Sequence, residues 1–431
     1  MKKIFLAIAA GFVSLLSFSQ KIDKIINAGE VERIEKILSS DDMMGRKTFT
    51  PGIDKAADFI AGEFAKSKLK FFGDNTSYFQ EIIMTKAKPV TITGVLDTEV
   101  LSDINVAANT TNAEINATSL KEYEVVVVRK EDDFSKMVFP VFDAEKNVIV
   151  LVDTAHTRRF KGIQRFAGNA KFASKVSQIF ILTSNLNPSF IDLHIKNQLV
   201  EQHLKNIIGV IPGKSKKDEY VVFSGHYDHL GISKPNKDQD SIFNGANDDA
   251  AGTTAVIMLS KYFSSLKNKN KNERTIIFVA FTAEEIGGFG SRYFSRQLNA
   301  DKVMAMFNIE MIGTESKWGT NSAYITGYEK SSMGKILQDN LADSKFKFEP
   351  DPYPKQNLFY RSDNATLAEL GVPAHTISTS KMDTEKFYHT LDDEIETLDM
   401  NNMAEIIKAI ALSSKTIISG KDTPTRVEKE K

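Results

Sequence analysis

The chain contains no cysteine, and this absence limits how the fold is stabilised and how it attaches to membranes. Disulfide bonds are excluded, and a lipoprotein anchored through a cysteine is not expected. Stability must therefore come from a hydrophobic core or from bound metal.

The sequence also lacks an excess of charge of either sign. Its 431 residues include 55 basic and 56 acidic side chains, which give a formal net charge of -1. This balance argues against a nucleic-acid partner and against a strongly basic membrane-binding surface. With 42% hydrophobic and 26% charged residues, the composition is that of an ordinary globular protein. Collagen-like, coiled-coil and wholly disordered chains are excluded.

The N-terminus has the pattern of a secretory signal peptide. Lysines at positions 2 and 3 precede an apolar run from Ile4 to Phe18, which ends among small serines. The run is shorter than the roughly 20 apolar residues of a membrane span, and no second candidate follows it. We expect cleavage of residues 1–19 and a secreted or periplasmic mature protein without a membrane anchor.

The remaining chain divides by the texture of its sequence. Two amphipathic stretches, VERIEKILSS and KAADFIAGEFAKSKL, predict an N-terminal helical part of the main domain at 20–85. Short β-rich runs such as YEVVVVR and NVIVLVDT predict an accessory insertion at 86–200, either a subdomain or an extension of one sheet. Residues 201–420 are expected to form the core, and 421–431 a flexible tail.

Apolar runs and amphipathic stretches alternate through the core. Strand-like EYVVFSGH, RTIIFVAF and KVMAMFNIE are separated by helical DAAGTTAVIMLSKYFSSL and GSRYFSRQL. This alternation predicts an α/β fold with a mixed, mostly parallel central sheet covered by helices on both faces. Ligands of such sheets gather beyond the carboxyl ends of the strands.

The first metal-capable side chains follow the run EYVVFSGH. His226 and Asp228 lie two residues apart on an extended segment, so both face the same side and the carboxylate can orient the imidazole. Alone, such a pair is more often an ordinary polar edge. The neighbouring His229 is expected to be a loop histidine without a role.

Two pairs of adjacent carboxylates follow. Asp248 and Asp249 precede a helix, where capping of the helix N-terminus explains one of them. Glu284 and Glu285 end an apolar strand, where adjacent carboxylates are costly unless a cation is near. One of them can then bind metal while the other moves a proton, and solvation at a helix start is the alternative.

Glu310 and His389 complete the candidate site. Glu310 follows the apolar run MAMFNI, where burial without a partner is unfavourable, so pairing or metal ligation is expected. His389 lies in FYHTLDD beside Asp392, which is expected to orient it. Two imidazoles with several carboxylates favour zinc or a similar transition metal over calcium or magnesium.

Six segments together resemble the co-catalytic di-zinc aminopeptidases of metallopeptidase family 28: HYDH, NGANDDAAG, FTAEEIGGFGS, FNIEMIG, RSDNATLAELGVPA and FYHTLDD. The resemblance covers about residues 204–418 and the helical stretch ending near residue 69, and it makes 201–420 a metallopeptidase core. It implies two Zn2+ per chain, the first held by His226, Asp248 and Glu310. Asp248, Glu285 and His389 would hold the second, with Asp248 shared.

The resemblance also implies the remaining catalytic roles. Glu284 would be the general base that takes a proton from water, Asp228 would orient His226, and Tyr388 would stabilise the tetrahedral oxyanion.

Three positions deserve separate expectations. Glu310 stands where the family usually has aspartate, and we expect ligation to survive the longer side chain. Asn364 stands where a histidine is common, so a substrate contact there is in doubt. Arg361 either meets a substrate carboxylate or forms a structural salt bridge, which is the commoner case.

These features predict a secreted exopeptidase acting on peptide substrates, most of all an aminopeptidase. A glutaminyl-peptide cyclotransferase of the same fold, which uses one zinc ion, is the alternative enzyme. A non-catalytic binding ectodomain is the third possibility, and it would be expected to lose ligands. Carboxypeptidase and dipeptidase action also stay open.

Overall fold

A computed structural model describes residues 22–266 and 272–429. The chain divides into two compact units. Unit 1 contains the described residues up to Ile82 together with those from Leu204 on, and unit 2 spans Ile83–His203. The predicted signal peptide at 1–19 lies outside the described residues. Where the chain is described, no helix is long and apolar enough to cross a membrane.

Strands and helices alternate along most of the chain. The strands are β1 (Phe79–Leu96), β2 (Glu99–Leu101), β3 (Val106–Asn109), β4 (Glu114–Ala117), β5 (Glu124–Val128), β6 (Val148–Asp153), β7 (Gln178–Thr183), β8 (Ile191–Ile211), β9 (Lys216–His226), β10 (Gly231–Ile232), β11 (Ile242–Phe243), β12 (Arg274–Phe281), β13 (Val303–Ile309), β14 (Ser322–Ile325), β15 (Lys347–Pro350) and β16 (Ala374–Ser378). The α-helices with described bounds are α1 (Ala28–Leu38), α2 (Pro51–Lys66), α3 (Phe134–Phe142), α4 (Thr157–Ala167), α5 (Ala251–Ser265), α6 (Phe289–Arg296), α7 (Met333–Asp339), α8 (Ala365–Ala368), α9 (Met400–Ser413) and α10 (Lys415–Ile418).

The central sheet of unit 1 is mostly parallel. Its strands lie in the order β15-β14-β16-β13-β9-β12-β8. β9 pairs in parallel with β12 and β13, and β13 pairs in parallel with β16. β8 and β14 supply the antiparallel pairs, with β12 and β16 respectively. This arrangement confirms the predicted mixed α/β class.

Helices cover both faces of this sheet. Side chains of successive strand residues point to opposite faces, so Phe223 packs in the cluster formed with α1, α2, α5 and α9, whereas Val222 packs with α6 and α8. Every residue of β12 is buried for the same reason. The strands therefore read as unbroken apolar runs.

The two N-terminal helices begin at recognisable signals. The side chain of Asn27 accepts the backbone N–H of Glu30 and caps α1. Pro51 occupies the first turn of α2, where its missing N–H has no helical partner to lose. Both helices bury their apolar face in unit 1, as the amphipathic pattern predicts.

Unit 2 contains an α/β layer of its own. Its four-stranded sheet has the order β3-β7-β6-β5, with β5, β6 and β7 parallel. α3 and α4 connect these strands and pack on them through Val138 and Phe160. The β-rich runs YEVVVVR and NVIVLVDT within 86–200 thus form β5 and β6. The two helices were not predicted, since α3 contains Pro140 and is apolar almost throughout. The assignment of 86–200 as an accessory insertion stays a prediction.

The C-terminal tail differs from the expected flexible segment at 421–431. Arg426 donates hydrogen bonds to the carbonyl oxygens of Ala300 and Val303, and the N–H of Val427 binds the carbonyl of Gly371. Val427 is buried in the same core as α8. Polar composition suggested fraying, but these contacts fix the tail as far as residue 427.

Candidate metal centre

The candidate site lies where three neighbouring parallel strands of unit 1 end. His226 is the last residue of β9 and pairs with Phe281, the last residue of β12, while β13 runs in parallel on the other side of β9. The loops that follow these strands carry Asp228, the Glu284–Glu285 pair and Glu310. The predicted position beyond the strand ends therefore agrees with the structure.

The loop before α5 brings Asp248 to the same place. Gly245 has a positive φ of 54° where this loop turns, and the peptide bond between Asp248 and Asp249 is cis. The carboxylate of Asp393 accepts the backbone N–H groups of Asn247 and Asp248, at 2.8 and 3.0 Å. This buried aspartate fixes the backbone that carries Asp248.

Asp249 is the member of the aspartate pair that caps the start of the helix. Its carboxylate accepts the N–H of His226 at 3.0 Å, of Gly252 at 3.0 Å and of Met311 at 3.1 Å. It thereby joins three segments of the site through their backbones. Its side chain is used by these bonds, whereas that of Asp248 faces the imidazoles.

The first group of candidate ligands comprises His226, Asp248 and Glu310. One donor atom from each lies within 4.8 Å of the others, and Nε2 of His226 is 3.2 Å from Oδ1 of Asp248. Nε2 of His226 and Oε2 of Glu310 are buried and have no hydrogen-bond partner among the described residues. The longer side chain of Glu310 therefore still places a carboxylate in this group.

The second group shares Asp248 with the first and adds His229 and Glu285, with one donor atom from each within 4.8 Å of the others. His389 lies beside this group. Nε2 of His389 lies 3.3 Å from Oδ2 of Asp248 and 3.2 Å from Oε2 of Glu285. The two oxygens of Asp248 thus face different imidazoles, Oδ1 towards His226 and Oδ2 towards His389. This is the geometry of a carboxylate that bridges two sites.

Asp228 occupies the predicted place but makes different contacts. Nδ1 of His226 is 3.1 Å from the backbone carbonyl of Asp228 and 3.8 Å from its carboxylate. The carboxylate instead accepts the N–H groups of Glu284 and Glu285, at 3.0 and 3.3 Å. The carbonyl of Asp228 therefore orients the imidazole, and its side chain fixes the turn that carries both glutamates.

Contacts with histidines lower the pKa values of two carboxylates of the site. Burial opposes this, but the imidazoles of His226 and His389 hold the pKa of Asp248 well below its usual range. Burial likewise opposes ionisation of Glu285, whose pKa is lowered to about 2 by His229 and His389.

The other carboxylates of the site show the opposite trend. Burial raises the pKa of Asp228 and of Glu310 to about 7, and it raises that of Glu284 well above its usual range. Nearby carboxylates, among them Asp363, raise the pKa of Glu284 further. A buried cluster with this excess of carboxylates needs cations, and its imidazole and carboxylate donors suit a transition metal.

Tyr388 stacks on His389, with ring centroids 3.8 Å apart. It lines a small cavity of about 60 Å³ together with Asp248, Glu284, Glu310 and His389. Asp392, the expected orienter of His389, is exposed. The adjacent Asp393 has the structural role instead, through the loop of Asp248.

The structure gives Asn364 and Arg361 different surroundings. Asn364 is fully buried and donates to the carbonyl oxygens of Phe359 and Ala374, so it has a structural role. Arg361 is exposed and lines both the small cavity and an adjoining cavity of about 580 Å³. Its guanidinium has no ion-pair partner among the described residues, contrary to the expected salt bridge.

Two residues to which the sequence analysis gave no role in the site complete it. Arg46, fully buried, donates from its guanidinium to the carbonyl oxygens of Tyr227, Asn244 and Gly245. His229, expected to lack a role, has a fully buried side chain that bonds Glu285 at 2.8 Å. Its place directly after HYD was the available signal.

The loops after the strands of the mixed sheet hold two groups of candidate ligands that share one aspartate. These features define an α/β protein with a candidate binuclear metal centre. Residues 206–413 match the profile of Peptidase family M28, so this part of the chain is similar to that family. This confirms the resemblance seen in the sequence motifs.

Curated relatives share part of their length with this chain. A probable leucine aminopeptidase of Trichophyton verrucosum is 29% identical over 214 residues, which are 48% of this chain and 54% of the relative. Aminopeptidase YwaD of Bacillus subtilis is 24% identical over 237 residues, which are 53% of this chain and 48% of the relative. The chain thus spans about half the length of these relatives.

Solved structures are similar over nearly the whole chain. An aminopeptidase from Aneurinibacillus sp. strain AM-1 superposes with a TM-score of 0.54 and 17% identity, covering 95% of this chain and 96% of that one. A zinc aminopeptidase from Bacillus subtilis has the same TM-score and identity and covers 94% and 98%. At this identity the likeness concerns the fold.

Proposed function

We propose that this protein is a secreted zinc-dependent exopeptidase, an aminopeptidase that hydrolyses the peptide bond after the N-terminal residue of its substrate. The observation that carries the proposal is the shared carboxylate of Asp248, placed between two imidazoles beside Glu284. The names of the M28 relatives support the same activity. The signal-peptide pattern at 1–19 supports secretion.

The donor set fits two Zn2+ ions. His226, Asp248 and Glu310 would hold one ion. Asp248, Glu285 and His389 would hold the other, since Nε2 of His389 lies 3.3 Å from Asp248 and 3.2 Å from Glu285. Nε2 of His226, Nε2 of His389 and one oxygen of Glu310 have no hydrogen-bond partner where the chain is described, and the same is true of Nε2 of His229. Donor atoms of this kind are available to a cation. Bound zinc would polarise a peptide carbonyl and lower the pKa of a water molecule.

Glu284 is assigned as the general base. Its carboxylate lines the cavity of the ligands without belonging to either group. Burial and the carboxylates around it raise its pKa, which gives it a high affinity for a proton. It would take a proton from the attacking water and then deliver it to the departing amine.

Tyr388 is assigned as the residue that stabilises the oxyanion. Its ring stacks on His389, which fixes the ring beside the ligands, and the residue is 39% exposed and lines the small cavity. A hydroxyl donor at that place can bind the negative charge that develops on the carbonyl oxygen.

Two adjoining cavities suit the two sides of the scissile bond. The small cavity has the apolar side chains of Met311, Leu358 and Met382 in its otherwise mostly polar lining and would receive the N-terminal side chain. The larger cavity shares Glu284 and Arg361 with it and would receive the leaving peptide. Delivery of the proton by Glu284 agrees with a leaving group on that side.

The proposal is tested by hydrolysis of aminoacyl and N-blocked peptides by the purified mature protein, with metal content measured on the same sample. We expect about two zinc ions per chain and cleavage only of peptides with a free amino terminus. Glu284→Gln should lose about 100- to 10,000-fold in kcat while keeping its zinc. Glu405→Gln, on the exposed side of α9, is the matched control and should match wild type.

The alternatives give different results in the same assay. One zinc ion with cyclisation of N-terminal glutamine would establish the glutaminyl-peptide cyclotransferase. Neither metal nor turnover would leave a binding ectodomain. Retention of both complete ligand groups in the chain favours the aminopeptidase over both.

A further inference from the structure

His229 is a third imidazole at the second ligand group. The residue is 2% exposed, and its ring lies 5.8 Å from the ring of His389, measured between centroids. Its Nδ1 is 2.8 Å from Oε1 of Glu285 and 4.0 Å from Oδ2 of Asp248. Two histidines therefore contact different oxygens of one glutamate, His229 at Oε1 and His389 at Oε2.

The distances favour His229 as a partner of Glu285. One donor atom each of His229, Asp248 and Glu285 lies within 4.8 Å of the others, so His229 is close enough to be a metal ligand or the partner of one. Its Nδ1 is at hydrogen-bond distance from Glu285, 2.8 Å, and farther from Asp248, at 4.0 Å. Nε2 of His389, in contrast, lies at nearly equal distances from both carboxylates, 3.3 Å from Asp248 and 3.2 Å from Glu285.

The surroundings of the ring assign its proton. A carboxylate only accepts hydrogen bonds, so Nδ1 of His229 carries the proton and donates it to Glu285. Nε2 is buried and without a partner among the described residues. The hydrogen bond to Glu285 therefore uses Nδ1 and leaves Nε2 without a hydrogen bond to those residues.

The backbone around His229 holds the ring in this orientation. Gly245 packs against it, and a Cβ atom at that glycine would lie 2.5 Å from Cδ2 of His229. The N–H of His229 donates to the carbonyl oxygen of Arg46 at 3.2 Å. Space for the ring and its placement are therefore built into two other segments of unit 1.

We propose that His229 is a positioning residue for the second metal site. Its hydrogen bond occupies Oε1 of Glu285 and leaves Oε2 to complete the ligand group with His389 and Asp248. The role rests on the proposed function, and it lies outside the ligand set that the family resemblance implies. Partners of this kind typically change metal affinity or activity by 10- to 100-fold.

The test compares three substitutions by zinc titration against a chelator, with kcat measured in parallel. His229→Asn keeps an N–H donor near Nδ1, whereas His229→Gln moves it to the reach of Nε2, and His229→Leu removes it. We expect one of the two zinc ions to bind about 10- to 100-fold more weakly in the Gln and Leu variants, with Asn close to wild type. His194→Leu, at an exposed histidine of unit 2, is the control and should bind as wild type does.

Several outcomes would overturn the role of His229. Wild-type affinity in both Gln and Leu variants would show that the hydrogen bond is dispensable. Complete loss of the second ion in all three variants, as in His389→Ala, would instead make His229 a direct ligand. If the Leu variant does not fold, the difference between Asn and Gln decides. Zinc binding without peptide hydrolysis by wild type would contradict the proposed function alone.

Discussion

The guanidinium of Arg46 donates a hydrogen bond of 2.9 Å to the carbonyl oxygen of Tyr227, the residue between His226 and Asp228. The same side chain also donates to the carbonyl oxygens of Asn244 and Gly245, at 2.5 and 2.9 Å, in the loop that leads to Asp248. One residue from the N-terminal segment thus holds two ligand loops in register.

Replacement of Arg46 is expected to weaken both stability and metal binding. Arg46→Met leaves buried carbonyl groups unsatisfied and nearby buried carboxylates uncompensated, so the free energy of unfolding should fall by about 3 kcal/mol or more. Chemical denaturation and zinc content measure the two effects. Arg165→Met, on the exposed side of α4, should change stability by less than about 0.5 kcal/mol. Unaltered zinc content in Arg46→Met would contradict the positioning of the loops.

Asp248→Asn should affect both metal ions, because its two oxygens face the two imidazoles. The amide removes the negative charge and one of the oxygens, so we expect less than one zinc ion per chain after dialysis, measured by elemental analysis. Asp392→Asn, at an exposed position, is the matched control. Loss of only one ion would mean that the carboxylate is not shared.

Tyr388→Phe should lower kcat while zinc content stays unchanged. The phenylalanine ring keeps the stacking on His389 and removes only the hydroxyl. Loss of one oxyanion donor typically costs about 100- to 1,000-fold in kcat, with a smaller effect on KM. Steady-state kinetics on a free-amine peptide decide the point, with Tyr123→Phe in unit 2 as the control. A kcat equal to that of wild type would remove Tyr388 from the catalytic residues.

The buried carboxyl group of Glu35, which is not one of the candidate metal ligands, should make the stability of the protein depend on pH. Burial raises its pKa to about 8, against hydrogen bonding from Thr254 and the charge of Arg46. A carboxyl whose folded pKa is raised stabilises the fold fully below its unfolded pKa of about 4.3 and loses that contribution as the pH rises through 8.

Glu35→Gln should therefore gain stability relative to wild type between about pH 4.3 and pH 8 and no further above pH 8. The total gain is on the order of a few kcal/mol, measured by urea denaturation at several pH values. Glu32→Gln, on the exposed side of α1, should show no such trend. A difference between Glu35→Gln and wild type that does not vary with pH would show that Glu35 is ionised in the folded protein.

Two glycines of unit 1 helices should respond oppositely to alanine. A Cβ at Gly252 would lie 2.1 Å from the carbonyl oxygen of Ile309 and 2.4 Å from the Asp249 carboxylate, so Gly252→Ala should destabilise by about 1–3 kcal/mol and reduce zinc content. At Gly62 the added atom meets nothing within 4 Å. Gly62→Ala in α2 should stabilise by about 0.5–1 kcal/mol. Thermal unfolding distinguishes the two signs.

The sheet was predictable because its strands are buried on both faces. Continuous apolar runs marked β9, β12 and β13, and the polar residues directly after them marked the strand ends where ligands gather. The apolar run NIIGVIPG also marked the end of β8, but not its antiparallel direction, because pairing direction is not encoded in apolar content. The short β15 gave no such signal.

Within the site, the predictable residues were those whose chemistry is costly without a cation. Polar residues beside apolar runs or in tight glycine loops could be recognised in the sequence as candidates, and these included Asp248, Glu285 and His389. Arg46 and Asp393 did not, because their roles are hydrogen bonds to backbone atoms of segments far away in the sequence. His229 differed from a plain loop residue only once its contact with Glu285 was visible.

The five proposed ligands come from five separate segments of the chain, and none of these segments can bind a metal ion in this way before the sheet has brought them together. Zinc would then bind the folded protein and have little affinity for the unfolded chain. Free zinc at a hundred times its dissociation constant adds about 2.7 kcal/mol to the free energy of unfolding. The stability of the folded protein would thus follow the zinc supply of its surroundings, and chelators would lower it.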